Sequence, residues 1–117
     1  MDINEVKLVR MKKTINRLIA DIKTKTFPVD MIILFGSVAK GKIHELSDMD
    51  ICIVSDEELS IRKMREIENY FYDQVDDEFT LDFIHCDTHK LKNGEYVFER
   101  IRQEGRILYE RVQRHSA

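Results

Sequence analysis

The 117 residues predict an α/β domain, and three observations carry the prediction. Two short apolar runs, Met31–Phe35 and Asp50–Ser55, have the length and continuity of strands buried on both faces. Around them lie longer segments whose apolar residues recur in steps of three and four, the period of an amphipathic helix. A third strand is marked by alternation over 79–86, with Phe79, Leu81 and Phe83 on one face and Thr80, Asp82 and Ile84 on the other. The expected order is α-β-α-β-α-β-α, with a small mixed sheet of three strands flanked by helices and 106–109 as a candidate fourth.

Each element has a local cause. Over residues 3–25, Leu8, Met11, Ile15, Leu18 and Ile22 form one helical stripe, which Phe27-Pro28 ends because the residue before proline avoids the helical region. Met31–Phe35 closes on Gly36, and Ser37-Val-Ala-Lys-Gly41 starts a short helix. Residues 42–47 are polar and predict a loop. The short 36–49 link does not require the first two strands to be parallel, hence a mixed sheet. Ser60 is positioned as an N-cap for a helix with Ile61, Met64, Ile67, Phe71 and Val75 inward. The acidic stretch Asp73, Asp76, Asp77 and Glu78 ends it as a solvated face. A last helix is expected over 94–104, with Tyr96 or Val97, Phe98 and Ile101 inward and Gly105 as C-cap.

Composition narrows the function. One domain spanning 1–117 accounts for the length. At 43% hydrophobic and 35% charged, the chain is too apolar for disorder and too charged for a membrane protein. The opening Met-Asp-Ile-Asn-Glu lacks the basic and apolar regions of a signal peptide, so a cytoplasmic location is expected. Cys52 and Cys86 lack a framework spacing and are expected to be buried free thiols. With 22 acidic and 19 basic residues, a net charge of −3 disfavours extended nucleic acid as the main partner.

Three features bear on chemistry. Gly36-Ser37 stands where a strand runs into a helix, and there glycine allows close backbone approach while amides and a hydroxyl face a phosphate. A plain turn explains the same dipeptide. Asp48 and Asp50 flank Met49 at a strand entry and point to one face, a pair of oxygen donors suited to Mg²⁺. A turn cap and a solvated strand end account for them equally. Asp82 is an ionisable residue in mid-strand, which faces water or joins a site. If the second and third strands are neighbours, Asp48, Asp50 and Asp82 converge as a carboxylate triad, the donor set for two-metal phosphoryl or nucleotidyl transfer. His85-Cys86-x-x-His89 fits no standard zinc spacing and lacks a fourth ligand. His44 is expected in a solvated loop. Tyr70 and Tyr72 are core or surface neighbours, or sites of self-modification.

Gly36-Ser37-Val-Ala-Lys-Gly41 followed by Ser47-Asp48-Met-Asp50-Ile51 resembles the signature of the minimal nucleotidyltransferases (MNT) of the DNA polymerase beta-type superfamily. The leading helix, Leu81-Asp82-Phe83-Ile84 and the closing 101–110 resemble the family as well, so the likeness covers nearly the whole chain. The resemblance implies a nucleotidyltransferase fold and a Mg²⁺-dependent enzyme that moves AMP from ATP to an acceptor and releases pyrophosphate. It implies that Gly36 and Ser37, with Lys40 and Ser47, hold the nucleotide, and that Asp48, Asp50 and Asp82 bind two Mg²⁺ ions as the catalytic carboxylates. Lys40 departs from the arginine frequent in the family, keeping the charge but not the bidentate fork. Many small members are antitoxins that modify a tyrosine of an HEPN ribonuclease toxin, and such a partner is expected here. The larger relatives carry extra acceptor-binding domains, so the acceptor is expected from a partner, another copy or a small molecule. Two alternatives stay open: a binding module that neutralises its partner by occlusion, and an enzyme with a small-molecule acceptor. Homo- or hetero-oligomerisation is also open.

Overall fold

The computed structural model describes residues 3–25, 27–40, 48–74 and 80–111, and the side chains of residues 3, 4, 7, 8, 23–25, 37, 38, 48 and 74, among them Leu8, Ser37 and Asp48, lie outside that description. Among the described residues, nine elements run in the order α1 (Ile3–Lys25), β1 (Met31–Phe35), α2 (Gly36–Ala39), β2 (Asp48–Ser55), α3 (Ile61–Gln74), β3 (Thr80–Asp87), α4 (Thr88–Asn93), α5 (Val97–Glu104) and β4 (Arg106–Glu110). The four strands form one sheet in the order β3-β2-β1-β4. Both neighbours of β1 are antiparallel to it, whereas β2 and β3 are parallel, so the sheet is mixed. The parallel pair needs a crossover, and α3 supplies it.

Helices cover both faces. On one side Met11, Ile15, Leu18 and Ile22 of α1 and Ile67 and Phe71 of α3 pack on Ile32, Leu34, Met49, Ile51, Ile53 and Leu81. On the other, Leu91 of α4 and Ile101 of α5 close over Ile33, Cys52 and Val54. The near-continuous apolar sequence of β1 and β2 reflects this double burial. Side chains alternate along β2, so Met49, Ile51 and Ile53 serve one layer and Cys52 and Val54 the other.

Local chemistry sets the boundaries. Ser60 Oγ accepts the Lys63 amide at 3.2 Å, as an N-cap should. Ile61, expected inward, is 70% exposed, because at the first position of α3 it precedes the turn that reaches the core. The helix expected over 94–104 spans only Val97–Glu104, and a short helix that was not expected, α4, precedes it. Asp87 caps α4 by accepting the Lys90 amide at 2.7 Å. Helix α5 restarts only at Val97, after Tyr96 at φ +57°, a left-handed conformation that interrupts the helical path. Tyr96 is 85% exposed, so Val97 is the residue that packs inward. Gly105 ends α5, its amide donating to the Ile101 carbonyl at 2.9 Å. Its extended φ of −71° differs from the left-handed cap that glycine usually provides.

The two thiols are free and their sulfurs lie 3.7 Å apart. Cys52 is opposite Ile84 and Cys86 opposite Val54, so the pair is diagonal across β2 and β3. Such a diagonal separates Cα atoms by about 8 Å, beyond the span a disulfide bridges without backbone movement. Tyr70 hydrogen-bonds through its hydroxyl to Asp21, joining α3 to α1. No helix of the described residues is long and apolar enough to cross a membrane.

Candidate active site

Strand β1 delivers Phe35 opposite Asp50, and the chain then turns at Gly36 into the four-residue α2. Gly36 has φ +77°, where a Cβ is strained. A Cβ there would also collide with the Asp50 carboxylate, lying 3.1 Å from Cγ and closer still to Oδ2. The space that any other residue's side chain would fill is thus occupied by a carboxylate. This contact explains the glycine better than a plain turn does, because a turn would account for φ but not for the packed acid.

Asp50 is directly opposite Asp82 in the parallel β2–β3 register. Register partners on adjacent strands are about 4.8 Å apart at the backbone and point to the same face. Asp50 is half-buried and Asp82 exposed. They occupy the face that α4 and α5 cover further along, at Cys52 and Val54. Asp48 opens β2 opposite Thr80, two residues before Asp50, and its side chain lies outside the described residues. Ser47 and His44 lie outside the described residues, as does the expected 42–47 loop. Among the described residues, no group of three His, Cys, Asp or Glu side chains forms a metal cluster. The aligned carboxylates of Asp50 and Asp82 are oxygen donors of the kind hard divalent cations take.

Two contacts near this edge were not legible in the sequence. Lys40, just after α2, places Nζ 3.1 Å from Glu104 Oε1 at the end of α5. Tyr72 of α3 donates its hydroxyl to the Leu81 carbonyl at 2.8 Å, on the strand that carries Asp82. Burial raises its phenol pKa first, and the charges of Glu68 and Asp82 raise it further. Tyr72 lies next to the apolar stripe of α3, and nothing in helical spacing signals a carbonyl on a strand.

The far ends of β2 and β3 serve another purpose. There Asp30 accepts the Asp56 amide at 2.7 Å and faces Arg111 at 3.4 Å, while Thr88 donates to Asp56 at 3.1 Å. This network ties the ends of β1, β2, β3 and β4 together. A cavity of about 270 Å³ lies there too, lined by Ser55, Met64, His85, Cys86, Lys90 and Phe98 among others. It contains neither Asp50 nor Asp82, and the carboxylate edge, with its glycine cradle and paired acids, is the better candidate for chemistry. His85 faces Glu68 at 3.5 Å, while His89 lies on α4 with Nδ1 3.2 Å from the Asn93 amide nitrogen.

Known proteins share both sequence and fold with this chain. Over 69 residues, 59% of the chain and 69% of the relative, it is 35% identical to a Methanocaldococcus jannaschii protein named "Putative protein adenylyltransferase MJ0126". A crystal structure described as a "putative nucleotidyltransferase" from Sulfolobus solfataricus superposes with a TM-score of 0.65 at 17% identity, covering 95% of this chain and 91% of that one. A tri-AMPylated Shewanella oneidensis HEPN toxin in complex with MNT antitoxin gives a TM-score of 0.54 at 17% identity, covering 86% and 72%. At these identities the structures establish a common fold. Residues 16–114, which include the Gly36 turn and both aligned aspartates, match the family described as "Polymerase beta, Nucleotidyltransferase", and the chain belongs to that family of nucleotidyltransferases.

Proposed function

We propose that this nucleotidyltransferase moves AMP from ATP to a tyrosine hydroxyl of a partner protein, an HEPN-type toxin that it thereby silences as an antitoxin in the cytoplasm. The observation that carries the reading is the Gly36 cradle closed by Asp50, with Asp82 in register beside it. Backbone without a side chain at Gly36 lets phosphate oxygens approach the strand end, and Ser37 offers a hydroxyl there. Lys40 contributes positive charge to the same turn. Asp48, Asp50 and Asp82 would hold Mg²⁺, which when bound lowers the pKa of an attacking hydroxyl and neutralises charge on the leaving oxygen. Attack on the α-phosphate forms the phosphorus–tyrosine oxygen bond and breaks the bond to the oxygen bridging the α- and β-phosphates, releasing pyrophosphate, while the phenolic proton passes to the Asp82 carboxylate. The chain's own share is positioning: the β2–β3 register fixes the spacing of Asp50 and Asp82, and the packed glycine limits how Asp50 can turn. The name of the M. jannaschii relative supports adenylyl transfer to protein, and the AMPylated S. oneidensis complex supports an HEPN partner.

The test is label transfer. Purified protein, Mg²⁺ and a lysate of the native host are incubated with ATP labelled at the α- or γ-phosphate, beside an Asp48→Asn, Asp50→Asn double variant. Protein labelled from the α-phosphate alone, by the wild type alone, is the expected result, and mass spectrometry should place AMP on tyrosine. Labelling by the double variant at wild-type level would remove the carboxylate mechanism. A labelled metabolite in place of protein would assign the acceptor to a small molecule.

A further inference from the structure

Lys40 and Glu104 are far apart in sequence yet form an ion pair at the mouth of the phosphate turn, with Nζ and Oε1 3.1 Å apart. Lys40 follows α2, whose first residue is Gly36, and its ammonium rides on a long flexible stem. Glu104 closes α5, and α5 ends hard against β1: a Cβ on the next residue, Gly105, would come within 2.6 Å of Ile33 Cγ2. Ala39, before Lys40, is buried as well, so both backbones are held and the pair opens through its side chains. Both side chains are partly open to solvent, at 42% and 34% exposure, so the pair is weak and exchangeable. Arg100 Nη2, 4.0 Å from Glu104 Oε2, gives the carboxylate a second cation when Lys40 leaves.

We propose that Glu104 sets the affinity of this site for nucleoside triphosphate by competing with the phosphates for the Lys40 ammonium. The proposal rests on the nucleotide reading of the Gly36 turn. A triphosphate has to draw Lys40 from Glu104, and it meets the repulsion of the carboxylate that stays behind. Both penalties vanish when the carboxylate becomes an amide of the same shape. Glu104 thus acts through Lys40, as a positioning residue with no contact to the reacting atoms.

The experiment is a double-mutant cycle read by binding. Calorimetry with Mg²⁺ and an ATP analogue bridged by methylene between the α- and β-phosphorus gives Kd for wild type, Glu104→Gln, Lys40→Met and the double variant. For a solvent-exposed pair, Glu104→Gln should bind about three- to five-fold tighter at low salt. That gain should shrink as salt is added, and Glu104→Asp, which keeps the charge, should stay near wild type. In the Lys40→Met background the gain should be smaller, because there is no ammonium left to release and only the repulsion of the carboxylate is relieved. Weaker or unchanged binding by Glu104→Gln overturns the proposal, and so does an equal gain with and without Lys40. Failure of the wild type to bind the analogue overturns the nucleotide reading itself, an outcome distinct from measurable binding that Glu104 does not influence.

Discussion

The contact between Gly36 and Asp50 makes Gly36→Ala the most informative substitution in the protein. Two costs are separable. A non-glycine residue held at φ +77° is strained by about 1–2 kcal/mol. The new methyl also lands on the Asp50 carboxylate, 3.1 Å from Cγ, and forcing a group into filled space costs about 1–3 kcal/mol more. The expected total is roughly 2–5 kcal/mol. At about 4 °C per kcal/mol for a domain of this size, that is a large fall in Tm. The second cost belongs to the carboxylate alone. With Asp50→Ala the nearest remaining atom is the Cβ at position 50, 3.4 Å from the added methyl, which is ordinary contact. Gly36→Ala should therefore destabilise the Asp50→Ala background by only the strain, about 1–2 kcal/mol. Urea unfolding of the two single variants and the double variant measures the coupling directly. Equal costs of Gly36→Ala in both backgrounds would refute the packing argument, and a cost below about 0.5 kcal/mol would refute the strain argument as well.

Two further predictions concern pH. Burial lowers the His85 pKa below its ordinary 6.5, against an opposing pull from Glu68. The fold therefore favours neutral imidazole, so its contribution is complete above pH 6.5 and is lost as pH falls through the lower folded value. His85→Leu should be less sensitive to acid than wild type over that window in chemical denaturation, and parallel curves would show that the ring titrates as it does in water. For Tyr70, burial and the Asp21 carboxylate push the phenol up to about 12. Its contribution is present below pH 10 and is lost as pH rises from 10 through about 12. Stability of Tyr70→Phe measured across that range should decline less steeply, and an unchanged slope would mean that the α1–α3 contact does not hold the phenol protonated.

Much of this protein was legible before any coordinates. Apolar steps of three and four produced α1 and α3, with Met11, Ile15, Leu18, Ile22, Ile67 and Phe71 buried as the stripes require. Unbroken apolar runs marked β1 and β2, because a strand covered on both faces has no polar side to show. The family likeness placed Gly36 and Asp50 in one motif. These are signals a few residues long, and they follow from backbone geometry acting locally.

Tertiary structure decided what depends on elements meeting. One late helix was expected over 94–104, yet Tyr96 at positive φ delays its start to Val97, and a further short helix capped by Asp87 precedes it over Thr88–Asn93, since capping and φ are not written in periodicity. Alternation put Asp82 on a strand, but only the parallel register, set by how α3 packs its crossover, aligned it with Asp50. The left-handed Gly36 and its packing against the Asp50 carboxylate emerged when β1 met β2 antiparallel. No spacing could join Lys40 to Glu104, because that pair exists through the docking of α5 on β1. The sequence by itself determined which segments form helices and strands and which residue types carry the chemistry. The distances between those residues came from long-range packing, in which each contact depends on the whole core being in place.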